Sequence, residues 1–372
     1  MSSSSPTTQK LRYFTASNSA GGFTSYFDDI FSSKKFDRLY IIKGGPGTGK
    51  SYLMQQAAAK AEKNGYTVEY FYCSSDPLSL DGIAAYPTGE ARALYGNSFI
   101  KKSFAIIDGT APHARDTLLP GAGDEIINLG NFWNSNLLIA KRVEIEALNT
   151  QKSEFFIRAY EYLETANELA LQIKRLILPA VDHEKMQGAL NRIFKNIKPG
   201  EGFISAPRLR HALSMAGKAS FDTFKNCAKK HYYVSECIDS AHLLFARVMK
   251  MAEERNLLTV YSPSPLSPQH LDGLYLPEAG IAFSLCEGRP ELEENEKIIN
   301  MERFVDLQKL RDSRTRLRLS KKYQNAMIHS AFECLSDARR AHFAIEKIYI
   351  SAMNFKKKEI ATEQLLSKII PQ

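Results

Sequence analysis

Gly44-Gly45-Pro46-Gly47-Thr48-Gly49-Lys50-Ser51 decides how this chain is read. The stretch fits the pattern Gly, four residues, Gly-Lys-Ser/Thr at every required position. Leu39-Tyr40-Ile41-Ile42 before it is a short apolar run of the buried-strand kind, and Ser51 to Lys63 after it is rich in the helix formers Ala, Gln, Lys and Met. A strand, a glycine turn and a helix in that order build a phosphate site. Successive backbone N–H groups and the helix N-terminus make a concave positive surface for phosphate oxygens. Only glycine lets the backbone come that close and take φ > 0. The expected cofactor-binding set is Gly44, Gly45, Pro46, Gly47, Thr48, Gly49, Lys50, Ser51 and Tyr52. Lys50 reaches the β- and γ-phosphates of ATP, and the Ser51 hydroxyl ligates Mg²⁺.

The metal's second ligand comes from the strand read at Ser103-Phe104-Ala105-Ile106-Ile107-Asp108. Four apolar residues ending in an aspartate place a carboxylate at the C-terminal end of a sheet strand, where it can hold Mg²⁺ directly or through water. His113 lies five residues further on the same loop. It is either a contact to the γ-phosphate or the attacking water, or a surface histidine. Asp81, before Gly82, reads as a turn residue in preference to a catalytic base.

At 372 residues the chain has room for about two domains. Hydrophobic residues at 44% and charged residues at 24% belong to a soluble globular class. The formal charge of +8 allows an acidic partner without requiring one. Cys73, Cys227, Cys237, Cys286 and Cys334 are scattered with no C-x-x-C pair. Neither a zinc site nor a disulfide framework follows, and a reducing cytoplasmic setting is expected. No uncharged apolar run approaches the length of a membrane span. Residues 1–9 read as a disordered tail.

In chain order, Leu11 to Thr15 reads as a strand and Ser17 to Gly22 as a loop. Tyr66 to Cys73 is the strand after the first helix, and Ser74 to Gly82 a loop. Strand, helix, strand is a βαβ unit and implies a parallel sheet. Residues 134–198 are helical, with Phe156, Tyr160, Leu163, Ala166, Ala170, Ile173 and Ile177 forming an apolar stripe expected to pack in a core. Residues 201–208 read as the linker between an active unit, 10–200, and a second unit, 209–372, whose helical segment is 305–370.

The second unit echoes the first. Leu209-Arg210 matches Leu11-Arg12, Thr259-Val260 matches Thr67-Val68, and Leu271-Asp272-Gly273 matches Leu80-Asp81-Gly82. The helices also run in step, with Ala159, Leu163 and Ala166 answering to Ala331, Leu335 and Ala338. The chain therefore reads as a tandem duplication. What the second copy lacks is informative. Glu236-Cys237-Ile238-Asp239-Ser240-Ala241-His242-Leu243 stands where Gly44 to Ser51 stood, and Leu285 replaces Asp108. The phosphate loop and the metal carboxylate are gone together, so this half is expected to be a partner or regulator of the first.

The segments KGGPGTGKS, CSSDPLSLDG and AIIDGTAPH resemble an uncharacterised bacterial family of tandem P-loop ATPases in the P-loop NTPase superfamily. The likeness spans most of the chain. It implies an α/β fold of P-loop NTPase type duplicated in tandem, ATP at Gly44–Ser51 and Asp108 on the metal. The second copy in that family commonly keeps its own loop, and this chain departs there. Three readings share these residues. The leading one is a Mg²⁺-dependent ATPase with Lys50, Asp108 and His113 as catalytic residues and the second half in intramolecular contact. A second is a kinase acting on a nucleotide or other small acceptor. A third is a nucleotide-gated binding protein of low turnover. Arg289 and Arg314 are candidates for a charge-completing arginine. The basic run Lys309 to Lys322 reads as a solvated helix face, with nucleic acid or an acidic protein as the other reading.

Overall fold

The computed structural model describes residues 10–236 and 239–370. The expected tail at 1–9, and Cys237 with Ile238, lie outside them. The first half runs β1 (Leu11–Phe14), β2 (Ala16–Ser19), β3 (Gly22–Ser25), α1 (Phe27–Ile30), β4 (Phe36–Lys43), α2 (Lys50–Lys63), β5 (Thr67–Tyr72), β6 (Leu80–Tyr86), α3 (Ala91–Tyr95), β7 (Ile100–Asp108) and β8 (Asp124–Asn128). Three helices follow: α4 (Ser135–Ala140), α5 (Arg142–Ile177) and α6 (His183–Phe194). The second half runs β9 (Ile204–Pro207), β10 (His211–Ser214), β11 (Gly217–Ser220), α7 (Thr223–Cys227), β12 (Lys230–Glu236), α8 (Ala241–Glu254), β13 (Leu258–Pro263), β14 (Leu271–Leu276), β15 (Ile281–Glu287) and β16 (Glu296–Asn300). It ends in α9 (Arg314–Ala352) and α10 (Phe355–Ile369).

Each half builds a six-stranded sheet, and the two orders correspond: β1-β5-β6-β7-β4-β8 and β9-β13-β14-β15-β12-β16. The sheets are mixed, which corrects the parallel expectation. β4 is parallel to both β7 and β8, yet β6 is antiparallel to β5 and β7. The reason is local. β6 follows β5 through a turn, and a turn too short for a crossover returns the chain antiparallel. The stretch 80–82 thus belongs to a strand, and 17–22 lies within the hairpin of β2 and β3. The expected linker 201–208 contains β9, the edge strand of the second sheet, paired in parallel with β13. Gly202 before it and Pro207 at its end give this short run the composition of a loop.

Reciprocal contacts relate the halves by an approximate twofold. Ala20 N donates to Leu266 O while Met215 N donates to Ser75 O. Trp133 bridges Met353 as Val181 bridges Val305. Near the axis Phe14 N donates to Leu209 O. Around this axis α5 and α9 pack as a long antiparallel pair, Ala159 against Leu335 and Ala338, and Leu163 against Ala331.

The short C-terminal helices are exchanged. α6 buries Met186, Leu190 and Phe194 against the second sheet, while α10 adds Leu366, with Ile370 beyond its end, to the core over Tyr40, Ile42 and Leu53 of the first. A further core is shared, joining Tyr13, Phe31 and Phe71 to Ala206, Phe224 and Val260. Inside it Arg208 donates to both carboxylate oxygens of Glu69, at 2.8 and 2.9 Å, with Tyr86 Oη donating to the same carboxylate. The ion pair is buried yet fully bonded, which offsets its desolvation.

Candidate functional site

β4 carries the chain into the loop and α2 carries it out. Asp108, the last residue of β7, pairs in register with Ile42 on β4, so its carboxylate arrives beside the loop. Gly47 (φ +71°) and Gly49 (φ +84°) take the left-handed backbone that glycine tolerates, and Gly49 opens α2 with no side chain capping its N-terminus. Thr48 Oγ1 donates to Gly45 O at 2.9 Å and braces the turn. Lys50 Nζ donates to Gly44 O and Gly45 O and lies 3.4 Å from Asp108 Oδ2. Asp108 Oδ1 accepts from Thr110 N at 2.9 Å and from Thr110 Oγ1 at 2.5 Å. Burial pushes this carboxyl above its ordinary range, while Lys50 and the Thr110 bonds hold it back.

A cavity of about 810 Å³ opens here. Pro46 to Ser51 line it, with Asp108 and His113. Gly44 and Gly45 do not; they support the loop from behind. A Cβ on Gly44 would stand 2.8 Å from Thr48 Oγ1, and one on Gly45 2.9 Å from the Tyr349 ring. Tyr52 is also off the cavity, with Lys358 Nζ 5.1 Å above its ring. Arg289 and Arg314 are not among the lining residues. The run Lys309 to Lys322 lies largely exposed at the start of α9.

Asp81 is not only a turn residue. Buried at the start of β6, its Oδ2 lies 3.2 Å from His113 Nε2 without a well-aligned hydrogen bond. His113 is itself buried, stacked on Phe27 with ring centroids 4.5 Å apart. The pair faces the same cavity as Lys50.

The far wall comes from the long helices. Lys152, Phe156 and Tyr160 on α5 and His342 and Glu346 on α9 line the cavity. The α5 stripe packs in the core as expected: Leu163, Ala166, Ala170, Ile173 and Ile177 are buried, and Phe156 and Tyr160, partly buried against the same clusters, also line the cavity. Burial lowers the Lys152 and His342 pKa values, with Lys152 and Lys50 adding to the effect on His342. Burial raises Glu346, and Asp76 adds to the effect. These residues were not legible as site residues, because only the α5–α9 pairing brings them to the loop.

For a divalent cation the donor set is Ser51 and Asp108, one hydroxyl and one carboxylate; Ser51 Oγ now accepts from Leu80 N. Among the described residues no group of three or more His, Cys, Asp or Glu could hold a metal. Two protein oxygens completed by phosphate and water suit Mg²⁺, which is held that way in phosphoryl-transfer sites.

The corresponding place in the second half is closed. Glu236 Oε2 accepts from Ala241 N at the start of α8, so a carboxylate occupies the N-terminus where a phosphate would sit. Leu285 takes the register of Asp108, opposite Val234.

Residues 24–83, which contain the glycine loop, match the family model described as Nephrocystin 3, N-terminal. No curated protein and no solved structure matches the chain. Among the described residues no helix is long and apolar enough to cross a membrane.

Proposed function

We propose that this chain is a Mg²⁺-dependent ATPase with one nucleotide site, built by the first half and roofed by the helices of both. The observation that carries the reading is the uncapped start of α2 behind Gly47 and Gly49, with Lys50 and Asp108 in contact at its mouth. Backbone amides and the helix N-terminus receive phosphate oxygens. Lys50 exchanges its loop carbonyls for the β- and γ-phosphates, and Ser51 with Asp108 holds Mg²⁺, which neutralises phosphate charge. Water attacks the γ-phosphorus, the bond to the bridging oxygen breaks, and its electrons leave with ADP. The proton lost by the water passes to the Asp81–His113 pair. Gly109, next to Asp108, leaves no glutamate for that task. On this reading the chain is a tandem duplication whose second copy, plugged by Glu236, serves as structural partner.

One observation favours a second reading. The cavity extends past the loop to Phe23, Phe156, Tyr160 and Met215, space that a phosphoryl acceptor could fill. The pair Asp81–His113 would then take the proton of an acceptor hydroxyl. Binding and turnover of ATP by wild type and Lys50→Ala, with and without Mg²⁺, test both. Wild type is expected to release phosphate only with Mg²⁺, and Lys50→Ala to lose turnover at least a hundredfold. Equal behaviour of the two proteins overturns the site. Phosphorylated acceptor with little free phosphate replaces the first reading by the second.

A further inference from the structure

A second cavity, of about 980 Å³ and away from the glycine loop, lies between α6 and the outer edge of the second sheet. That is the upper end of the volume ligand sites occupy. Its floor is apolar, formed by Leu190, Leu244, Leu257, Ile299 and Phe304. Its rim carries five cations: Arg192, Lys198, Lys230, Lys297 and Arg303. None of the five pairs with a carboxylate among the described residues. The two acids on the rim are engaged elsewhere. Glu278 accepts from Arg92 Nε at 2.6 Å and from Leu258 N, and Glu201 also turns to Arg92.

The first half shows what this place looks like when it is closed. There Tyr40 on β4 registers with Glu125 on β8, and Glu125 joins Arg38 at 3.0 Å and Lys368 of α10 at 3.1 Å. In the second half Tyr232 registers with Lys297. Lys230 stands for Arg38, Lys297 for Glu125 and Asn196 for Lys368. A network of plus, minus, plus has become plus, plus and neutral. The roof differs as well. α10 continues past Leu366 to Ile369, whereas α6 stops at Phe194, its counterpart. Lys230, two residues before Tyr232 on β12, stands diagonal to Lys297, a spacing long side chains can span, and an anion between the two cations offsets their repulsion.

We infer that this cavity binds a small free organic anion, a phosphate monoester with an apolar or aromatic body. The phosphate would sit between Lys230 and Lys297 and the body against Leu190, Ile299 and Phe304. Lys and Arg on the rim suit phosphate oxygens, and an apolar floor excludes a bare inorganic ion as the best ligand. The inference does not depend on the nucleotide reading.

Calorimetry of the full chain with 1-naphthyl phosphate tests it, with saturating ATP present and with the Lys50→Ala variant run in parallel. Wild type and Lys50→Ala are expected to bind one equivalent with the same affinity, weakening as salt rises. Lys297→Glu, which restores the charge pattern of the folded first half, should weaken binding at least tenfold. Lys297→Gln should fall between. Neutral 1-naphthol should bind at least tenfold more weakly than the phosphate. The inference is overturned if Lys297→Glu binds like wild type, if binding vanishes in Lys50→Ala, or if 1-naphthol binds equally. Retention on phosphatidic acid vesicles without binding of the soluble probe also overturns it, since the ligand would then be a membrane surface.

Discussion

At Gly47 two demands meet. Its φ of +71° disfavours any Cβ, and a Cβ there would lie 2.6 Å from Ile350 Cγ1 and 3.2 Å from Glu346 O on α9. The left-handed backbone alone costs about 1–2 kcal/mol for an L residue. Gly47→Ala is expected to lower unfolding stability by at least about 1 kcal/mol and to weaken ATP binding more than tenfold, read by urea titration and calorimetry. A different residue sets a pH dependence. Lys35 is buried, with Nζ donating to Leu94 O. Burial first, and Arg208 second, push its pKa down to about 7 from 10.5. Between those values the unfolded chain binds more protons than the folded one, so stability rises with pH from about 7 upward. The slope contributed is at most about 1.4 kcal/mol per pH unit. In Lys35→Met that component of the slope should vanish; denaturant midpoints across pH 7 to 9 check it. The glycine's backbone role was readable from its motif, but the steric role of α9 at the same atom was not.

Among elements, the α5–α9 pair bears most on the site, because its seam sets where Lys152 and Glu346 stand over the loop. Small residues on each helix receive large ones on the other: Ala159 faces Leu335, and Ala331 faces Leu163. This interdigitation fixes axial register. Leu335→Ala is expected to cost about 2–5 kcal/mol. It should also raise the ATP concentration needed for half-maximal turnover, since the α5 and α9 walls of the cavity would lose their mutual register. Unchanged stability by urea titration would contradict the packing described. The helical period of both segments was plain in the sequence, as were β4, α2 and the end of β7. β6 and β9 were not, since a short strand flanked by Gly, Pro and Ser has the composition of a loop.

For the whole molecule, the exchange of α6 and α10 means that neither half completes its own core. Residues 10–200 alone would lack Leu366 and Ile370 over the first sheet and leave Glu69 buried without Arg208. An unpaired buried carboxylate and an uncovered apolar face both oppose folding. That fragment is expected to show weak near-ultraviolet dichroism, bind hydrophobic dyes and fail to bind ATP, and mixing it with 201–372 should restore both packing and binding. Independent folding of 10–200 with full ATP affinity would contradict the shared core.

Local interactions wrote most of the glycine loop's environment into neighbouring residues. Strand, turn and helix lie within a few dozen positions, and the backbone demands of a phosphate site are met by residue type at fixed spacing. The sequence by itself therefore determined the loop, its strand and helix, the strand ending at Asp108 and the absence of glycine from Glu236 to Leu243. Tertiary structure alone decided the sheet order, the swap of α6 and α10, the approach of Asp81 to His113, and the roof of Lys152, His342 and Glu346. It also left the cations around Lys297 without a carboxylate partner among the described residues. Those features depend on contacts between residues far apart in the chain, set by which apolar faces can be buried together, and spacing along one sequence carries no record of that choice.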